Sequence, residues 1–254
     1  MDAEKKDIRM RIGTSGWHYE HWIGPFYPSG LKKKDQLKYY SARFNSTEIN
    51  NTFYQLPGSS TLETWFNSVP EHFVFSLKAS RYITHMKKLK DPEKTLPGFL
   101  RTVQALGGKA GPVLFQLPPR WRCNHERLRA FLEALPENLP CAFEFRDPSW
   151  INDKTLELLK NARASFCIYE IEGFTAPREI TADLVYIRLH GPDQAYQGRY
   201  DRQTLSGWAG AISSWLEKGH EVHCYFDNDE QGFAALNALE LAAMLGLKQG
   251  ESHA

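Results

Sequence analysis

The chain is poor in cysteine. Cys123, Cys141, Cys167 and Cys224 are the only four, and no two form a CxxC pair. That argues against a cysteine zinc site and against a disulfide framework, and it points to free thiols in a reducing cytoplasm. An excess of either charge is missing too. Lys and Arg total 31 against 30 for Asp and Glu, a formal net charge of +1, so no overall field draws the chain to a strongly charged partner. No stretch approaches the roughly 18 apolar residues of a membrane helix. The opening MDAEKKDIRMRIG carries no apolar run for a signal peptide. Linkers rich in glycine, serine or proline are absent, and no charge block exceeds Lys32–Lys34. No internal repeat of roughly 20 to 50 residues is visible. These gaps imply one domain, over 8–247, with 1–7 and 248–254 as loosely attached ends.

What is present is an alternation. Eight short runs rich in Val, Ile, Phe and Tyr read as strands: 8–14, 46–50, 73–78, 112–117, 141–146, 165–170, 184–190 and 221–227. Apolar positions at three- and four-residue spacing read as helices over 35–43, 60–68, 95–106, 125–135, 153–162, 202–218 and 232–246. Asp153 stands where an N-cap belongs, and Gly219 closes the long helix of Trp208 and Trp215. Strand and helix alternating about eight times over this length predict an α/β protein, a single (β/α)8 TIM barrel. The first βα loop, SGWHYEHWIGPFYPSG, is long and aromatic. The sixth connection, 171–183, is too polar and proline-broken for a long helix.

In such a barrel both faces of each strand are buried, and residues two apart share a face. Charged strand residues therefore need the wet exit at the C-terminal mouth, where barrel active sites lie. Most strands turn polar at that end. They supply Glu48 and Asn50, Ser76 and Lys78, Gln116, Glu144 and Arg146, Arg188 and His190, then Asp227 and Asn228. Their earlier halves read as largely apolar.

Several motifs, in order, resemble the domain-of-unknown-function 72 family, the YecE-like proteins. They are GTSGW at 13–17, EINNTFY at 48–54, FSLKAS at 75–80, LFQLPP at 114–119, AFEFRDPSW at 142–150, RLHGP at 188–192, YQGRY at 196–200 and YFDND at 225–229. The resemblance runs from about Ile8 to Leu245. It implies a TIM barrel and brings no assigned reaction.

The chemistry must come from the cluster. Glu48 and Glu144 are the expected proton-transfer pair, with His190 as a third catalytic candidate. The bland alternative is a structural network in which both carboxylates satisfy Arg146, Arg188 and Lys78. Lys78 would form a Schiff base if desolvation lowered its pKa, but neighbouring carboxylates would hold its charge, which favours a plain cation clamp. Arg146 and Arg188 point to an anionic ligand. Trp17, Tyr54, Asn50, Gln116, Asp227 and Asn228 complete the expected ligand-binding set. The loop aromatics Trp17, Tyr19, Trp22, Phe26 and Tyr27 fit either a stacking surface or a lid with its own small core. No cofactor is called for. A divalent metal on Glu48, Glu144, His190 and Asp227 is chemically allowed, although no HxH or HExxH spacing supports it.

The leading expectation is a cytoplasmic enzyme (a hydrolase, lyase or isomerase) acting on a small polar, anionic or sugar-like ligand. The alternatives are a nucleic-acid-binding or endonuclease-like barrel, motivated by Lys32–Lys34 and Lys87–Lys90, and a non-catalytic ligand-binding scaffold.

Overall fold

A computed structural model describes residues 9–247. The expected loose ends at 1–7 and 248–254, and the first residue of the first expected strand, lie outside the described residues. All eight expected barrel strands form: β1 Met10–Thr14, β2 Ser46–Ile49, β3 Val74–Lys78, β4 Ala110–Leu117, β5 Cys141–Phe145, β6 Ser165–Ile171, β8 Leu184–Leu189 and β9 Glu221–Phe226. A ninth, β7 (Phe174–Thr175), pairs antiparallel with β6. The seven expected helices are α1 Gln36–Ser41, α2 Ser59–Ser68, α3 Pro92–Ala105, α4 His125–Glu133, α5 Asp153–Asn161, α6 Arg202–Glu217 and α7 Phe233–Met244.

The strands run parallel in the order β1-β9-β8-β6-β5-β4-β3-β2. This is the sequential order of a (β/α)8 barrel, with helices packed outside. Caps fix several helix starts. The side chains of Asn124, Asn152 and Asp201 accept from the backbone N–H of Arg127, Thr155 and Thr204. The cap of α5 is thus Asn152, one residue before the expected Asp153, which is already helical. Gly219 does end α6, at φ +96°. Along α6 the buried Leu205, Trp208, Ile212, Trp215 and Leu216 lie at three- and four-residue spacing against the barrel.

The sixth connection is a β-hairpin, not a helix. Glu172 and Gly173 both adopt positive φ, 51° and 74°, as a type I′ two-residue turn requires. The first connection holds only two short 3-10 turns, Glu20–Trp22 and Lys33–Asp35.

Two seams are thin. Between β5 and β6 the ladder covers only Ala142↔Ser165 and Phe143↔Phe166. Between β1 and β2 there is one bridge, Ser15↔Glu48. Side chains replace the missing ladder. Asn45 accepts from Ile12 N (3.1 Å) and donates to Met10 O (2.8 Å). The Tyr40 hydroxyl accepts from Thr14 N at 2.8 Å and donates to Ser46 O at 3.1 Å. Gly13 makes room for this closure, since a Cβ there would sit 2.0 Å from Ser46 O.

The barrel interior departs from the expectation of largely apolar lower halves. The Tyr225 hydroxyl is bonded to Ser46 Oγ (2.6 Å), Ser76 Oγ (2.7 Å) and His223 Nδ1 (3.0 Å), all buried. Each partner satisfies another, so the layer carries no unpaired polar cost.

Gly13→Ala should therefore lose about 2–3 kcal/mol or fail to fold, because backbone must move. Gly210→Ala, on α6 with nothing within 4 Å of the added carbon, should be neutral or gain about 0.5–1 kcal/mol. Urea unfolding of both variants checks the contrast.

Candidate functional site

The mouth is organised around one side chain. Arg188, near the end of β8, is fully buried. Its Nε donates to Glu48 Oε1 at 3.1 Å. Its Nη1 donates to Glu144 Oε2 at 2.8 Å and His190 Nε2 at 3.2 Å. Its Nη2 reaches Glu48 Oε1 (2.7 Å), Asp227 Oδ2 (3.1 Å) and Ser15 Oγ (3.3 Å). All five N–H groups of the guanidinium are spent inside the protein.

Strand alternation brings these partners together. Tyr186, Arg188 and His190 share one face of β8 and its end. Glu48 follows Ser46 on β2, Lys78 follows Ser76 on β3, and Asp227 follows Tyr225 on β9. Glu48 is closed on its other side by Ser15 Oγ and Tyr186 OH, both at 2.7 Å. Glu144 also accepts from Arg146 Nε. Burial pushes the Glu144 carboxyl up, but the Arg146 and Arg188 guanidiniums outweigh it and hold the group well below the usual range. Burial likewise raises Asp227, and Arg188 and His190 bring it below its ordinary value.

His190 is read from its donors. Arg146 Nη2 stands 2.8 Å from its Nε2, and Arg188 Nη1 also faces that atom. Guanidinium groups only donate, so Nε2 accepts and the ring hydrogen sits on Nδ1, donated to Asp227 Oδ2 at 3.0 Å. Neither ring nitrogen is left to meet a ligand.

Two donors remain. Arg146 Nη1 has no acceptor among the described residues, since its Nε and Nη2 make its hydrogen bonds. Lys78 Nζ makes no ion pair or hydrogen bond among the described residues; it sits 4.6 Å from the Phe53 ring centroid. Burial, then the charge of Arg188, lower the Lys78 ammonium to about 8 despite Glu144, Asp227 and Glu48. The carboxylates expected to hold its charge are engaged by arginines instead. On the same ring lies His85, at 4.9 Å and edge-on. Burial, Lys78 and Arg81 lower His85 to about 4, which keeps it neutral.

The other expected residues are placed as follows. Asn50 lies at the mouth with Nδ2 near Ser15 O (3.4 Å), and its buried Oδ1 has no partner among the described residues. Gln116 is buried, with Nε2 3.4 Å from Leu117 O. Asn228 spends Nδ2 on Gly198 O and Asn237 Oδ1, so it pins the loop after β8. Tyr54 is 73% exposed at the rim. Trp17 is only 7% exposed and packs edge-on to Trp65 at 5.2 Å. Trp22, Phe26 and Tyr27 are buried: Phe26 packs on Tyr39, Tyr40 and Phe44, Tyr27 on Tyr39, and Trp22 on Phe26 and Tyr27. The aromatic loop is thus a buried aromatic cluster packed on the α1 segment, tied down where His21 and Trp22 meet Asp229 O. Beside the mouth a cleft of about 710 Å³ is lined by Trp17, Lys33, Lys34, Asn50, Asn51 and Trp65, among others.

Among the described residues no three His, Cys, Asp or Glu side chains are arranged to hold a metal ion. The Arg188 guanidinium fills the place among Glu48, Glu144 and Asp227. Sequence reasoning passed over Ser15 and Tyr186, although Tyr186 lies two residues before Arg188 on the same face. It also gave no weight to Phe53 as the neighbour of Lys78.

A nearly closed parallel barrel with a charged C-terminal mouth defines the class: a TIM-barrel protein. Within that class the chain belongs to the family described as protein of unknown function DUF72, whose model matches residues 11–254. It is 27% identical to the UPF0759 protein YunF of Bacillus subtilis, over 93% of this chain and 95% of that one. It also resembles the crystal structure of a DUF72 family protein from Thermotoga maritima, with a TM-score of 0.86, 28% identity, and coverage of 93% of this chain and 99% of that one. A DUF72 family protein from Enterococcus faecalis shares the fold, at a TM-score of 0.78, 24% identity, and coverage of 94% and 96%. Among the described residues no helix is long and apolar enough to cross a membrane.

Replacing Glu144 by Gln should cost about 3–5 kcal/mol, the range for breaking a buried ion pair. Its folded pKa lies below the unfolded one, so its contribution is full above the ordinary value of 4.5 and is lost as pH falls toward the folded value. Urea midpoints measured against pH should show a constant gap between wild type and Glu144→Gln near neutrality. The gap should narrow in acid.

Proposed function

We propose that the protein is an enzyme acting on a small anionic, sugar-like ligand at the C-terminal mouth of the barrel, with Lys78 and Arg146 as the groups that meet the ligand. One observation carries this reading. The mouth is crowded with charge, yet among the described residues Lys78 Nζ and Arg146 Nη1 have no acceptors while Arg188 is saturated. Unspent cationic donors of this kind suit a carboxylate or phosphate.

The carboxylates take a different part from the expected acid–base pair. Glu144, held ionised, is a poor general acid at neutral pH. Glu48 and Glu144 orient the arginines, and Asp227 orients His190. The four unpaired cysteines support a reducing, cytoplasmic setting.

A thermal-shift screen with sugar acids and sugar phosphates tests the reading. At least one should raise the melting temperature of wild type, and Lys78→Met should weaken that ligand tenfold or more. The apo stability of Lys78→Met should stay within about 1 kcal/mol of wild type, because among the described residues Nζ has no hydrogen bond or ion pair to lose, only its contact with the Phe53 ring. No response in wild type, or an undiminished response in the variant, rejects the assignment. Steep salt dependence toward single-stranded DNA would favour the nucleic-acid alternative instead.

A further inference from the structure

We propose that Lys78 is an imine-forming lysine and that its ligand carries an aldehyde or ketone carbonyl beside the anionic group. The inference rests on the mouth being a ligand site, and it names the substrate class and the reacting atom.

The amine has the environment a nucleophilic lysine needs. Its Nζ faces an aromatic ring rather than a carboxylate. Groups from every side bear on it: Arg188 on β8, Glu144 on β5, Glu48 on β2 and Asp227 after β9. Each of the three carboxylates is bonded to the Arg188 guanidinium, and among the described residues none forms an ion pair with Nζ. At a pKa of about 8, about one molecule in ten carries the neutral amine at pH 7. For an ordinary lysine the fraction is below about one in a thousand.

The segment after β3 is built around this position. Residues Tyr82–Met86 form a π-helical turn that places His85 on the Phe53 ring. Lys88, Leu89 and Asp91 then hold positive φ of 48°, 64° and 50°, with Leu89 buried. Left-handed non-glycine residues and π turns cost energy and gather at functional sites. His85, neutral, adds no positive charge beside the amine.

The step balances without a co-reactant. The Nζ lone pair attacks the carbonyl carbon, the C=O π pair moves to oxygen, and a proton passes from nitrogen to that oxygen. The carbinolamine then loses its C–O bond. Both amine hydrogens leave with the oxygen as water, and a C=N bond remains. Arg146 Nη1 is the free donor for the ligand's anionic group.

The test traps the imine. Wild type and Lys78→Arg are incubated at pH 7 with pyruvate, glyoxylate or glycolaldehyde phosphate and sodium cyanoborohydride, then digested and mapped by mass spectrometry. With at least one probe, Lys78 should be alkylated tenfold or more faster than any other lysine, and Lys78→Arg should lack that adduct. Trace acetylation against pH should show Lys78 titrating near 8. Adducts spread evenly over surface lysines, no adduct at all, or an ordinary lysine titration would overturn the inference. Lactate and glycerol phosphate, which have no aldehyde or ketone carbonyl, separate the two levels. If either stabilises wild type while no adduct forms, the anion site stands and the imine falls. If neither binds and no adduct forms, both fall.

Discussion

One guanidinium holds this molecule's upper half together. Arg188 ties β8 to Glu48 on β2, to Glu144 on β5, to Asp227 after β9 and to Ser15 after β1. The position matters because the barrel closes weakly between β1 and β2, through a single bridge at Ser15 and Glu48. Those two residues are bonded to each other and to Arg188. A buried charge network of this kind is not cheap, since each desolvated ion costs several kcal/mol before pairing offsets it. A hydrophobic plug would close a barrel with less expense. The network therefore makes most sense as a means of fixing geometry and charge at the mouth.

Its effect is to separate two kinds of cation. Arg188, and most of Arg146, neutralise the carboxylates and become part of the frame. Lys78 is then excluded from pairing, although it stands on the neighbouring strand with three acidic groups close enough to influence it. The same geometry explains why Glu48 and Glu144 are poor candidates for exchanging protons. The oxygens of each are already occupied by arginine, tyrosine or serine donors. Frame and working surface have different requirements: the frame must be saturated, and the surface must not be.

The barrel was legible in the sequence because it depends on periodicity. Eight strand runs and seven helical runs stand where the pattern puts them, to within a few residues. Strand alternation also sufficed to send Glu48, Lys78, Glu144 and Arg188 to one mouth. What alternation does not carry is pairing across the barrel. That Arg188 takes all three carboxylates and leaves Lys78 alone depends on side-chain reach between strands distant in sequence. Tyr186 was recoverable from the same β8 face. Ser15 lay in a loop, where no period applies. The aromatic loop was ambiguous for a similar reason, since composition does not distinguish a stacking surface from a buried aromatic cluster.

Charge balance constrains what the mouth can accept. Glu48, Glu144 and Asp227 bring three negative charges, Arg146 and Arg188 bring two positive ones, and His190 is held as the Nδ1–H tautomer. With Lys78 neutral, the cluster carries one net negative charge and repels an anion. With Lys78 protonated, it is neutral and keeps two free donors. Anion binding and proton uptake at Lys78 are therefore linked, each favouring the other. In the proposed imine the neutral amine is consumed and a neutral C=N bond and water result, so the ligand's anionic group must be met by Arg146 rather than by Lys78.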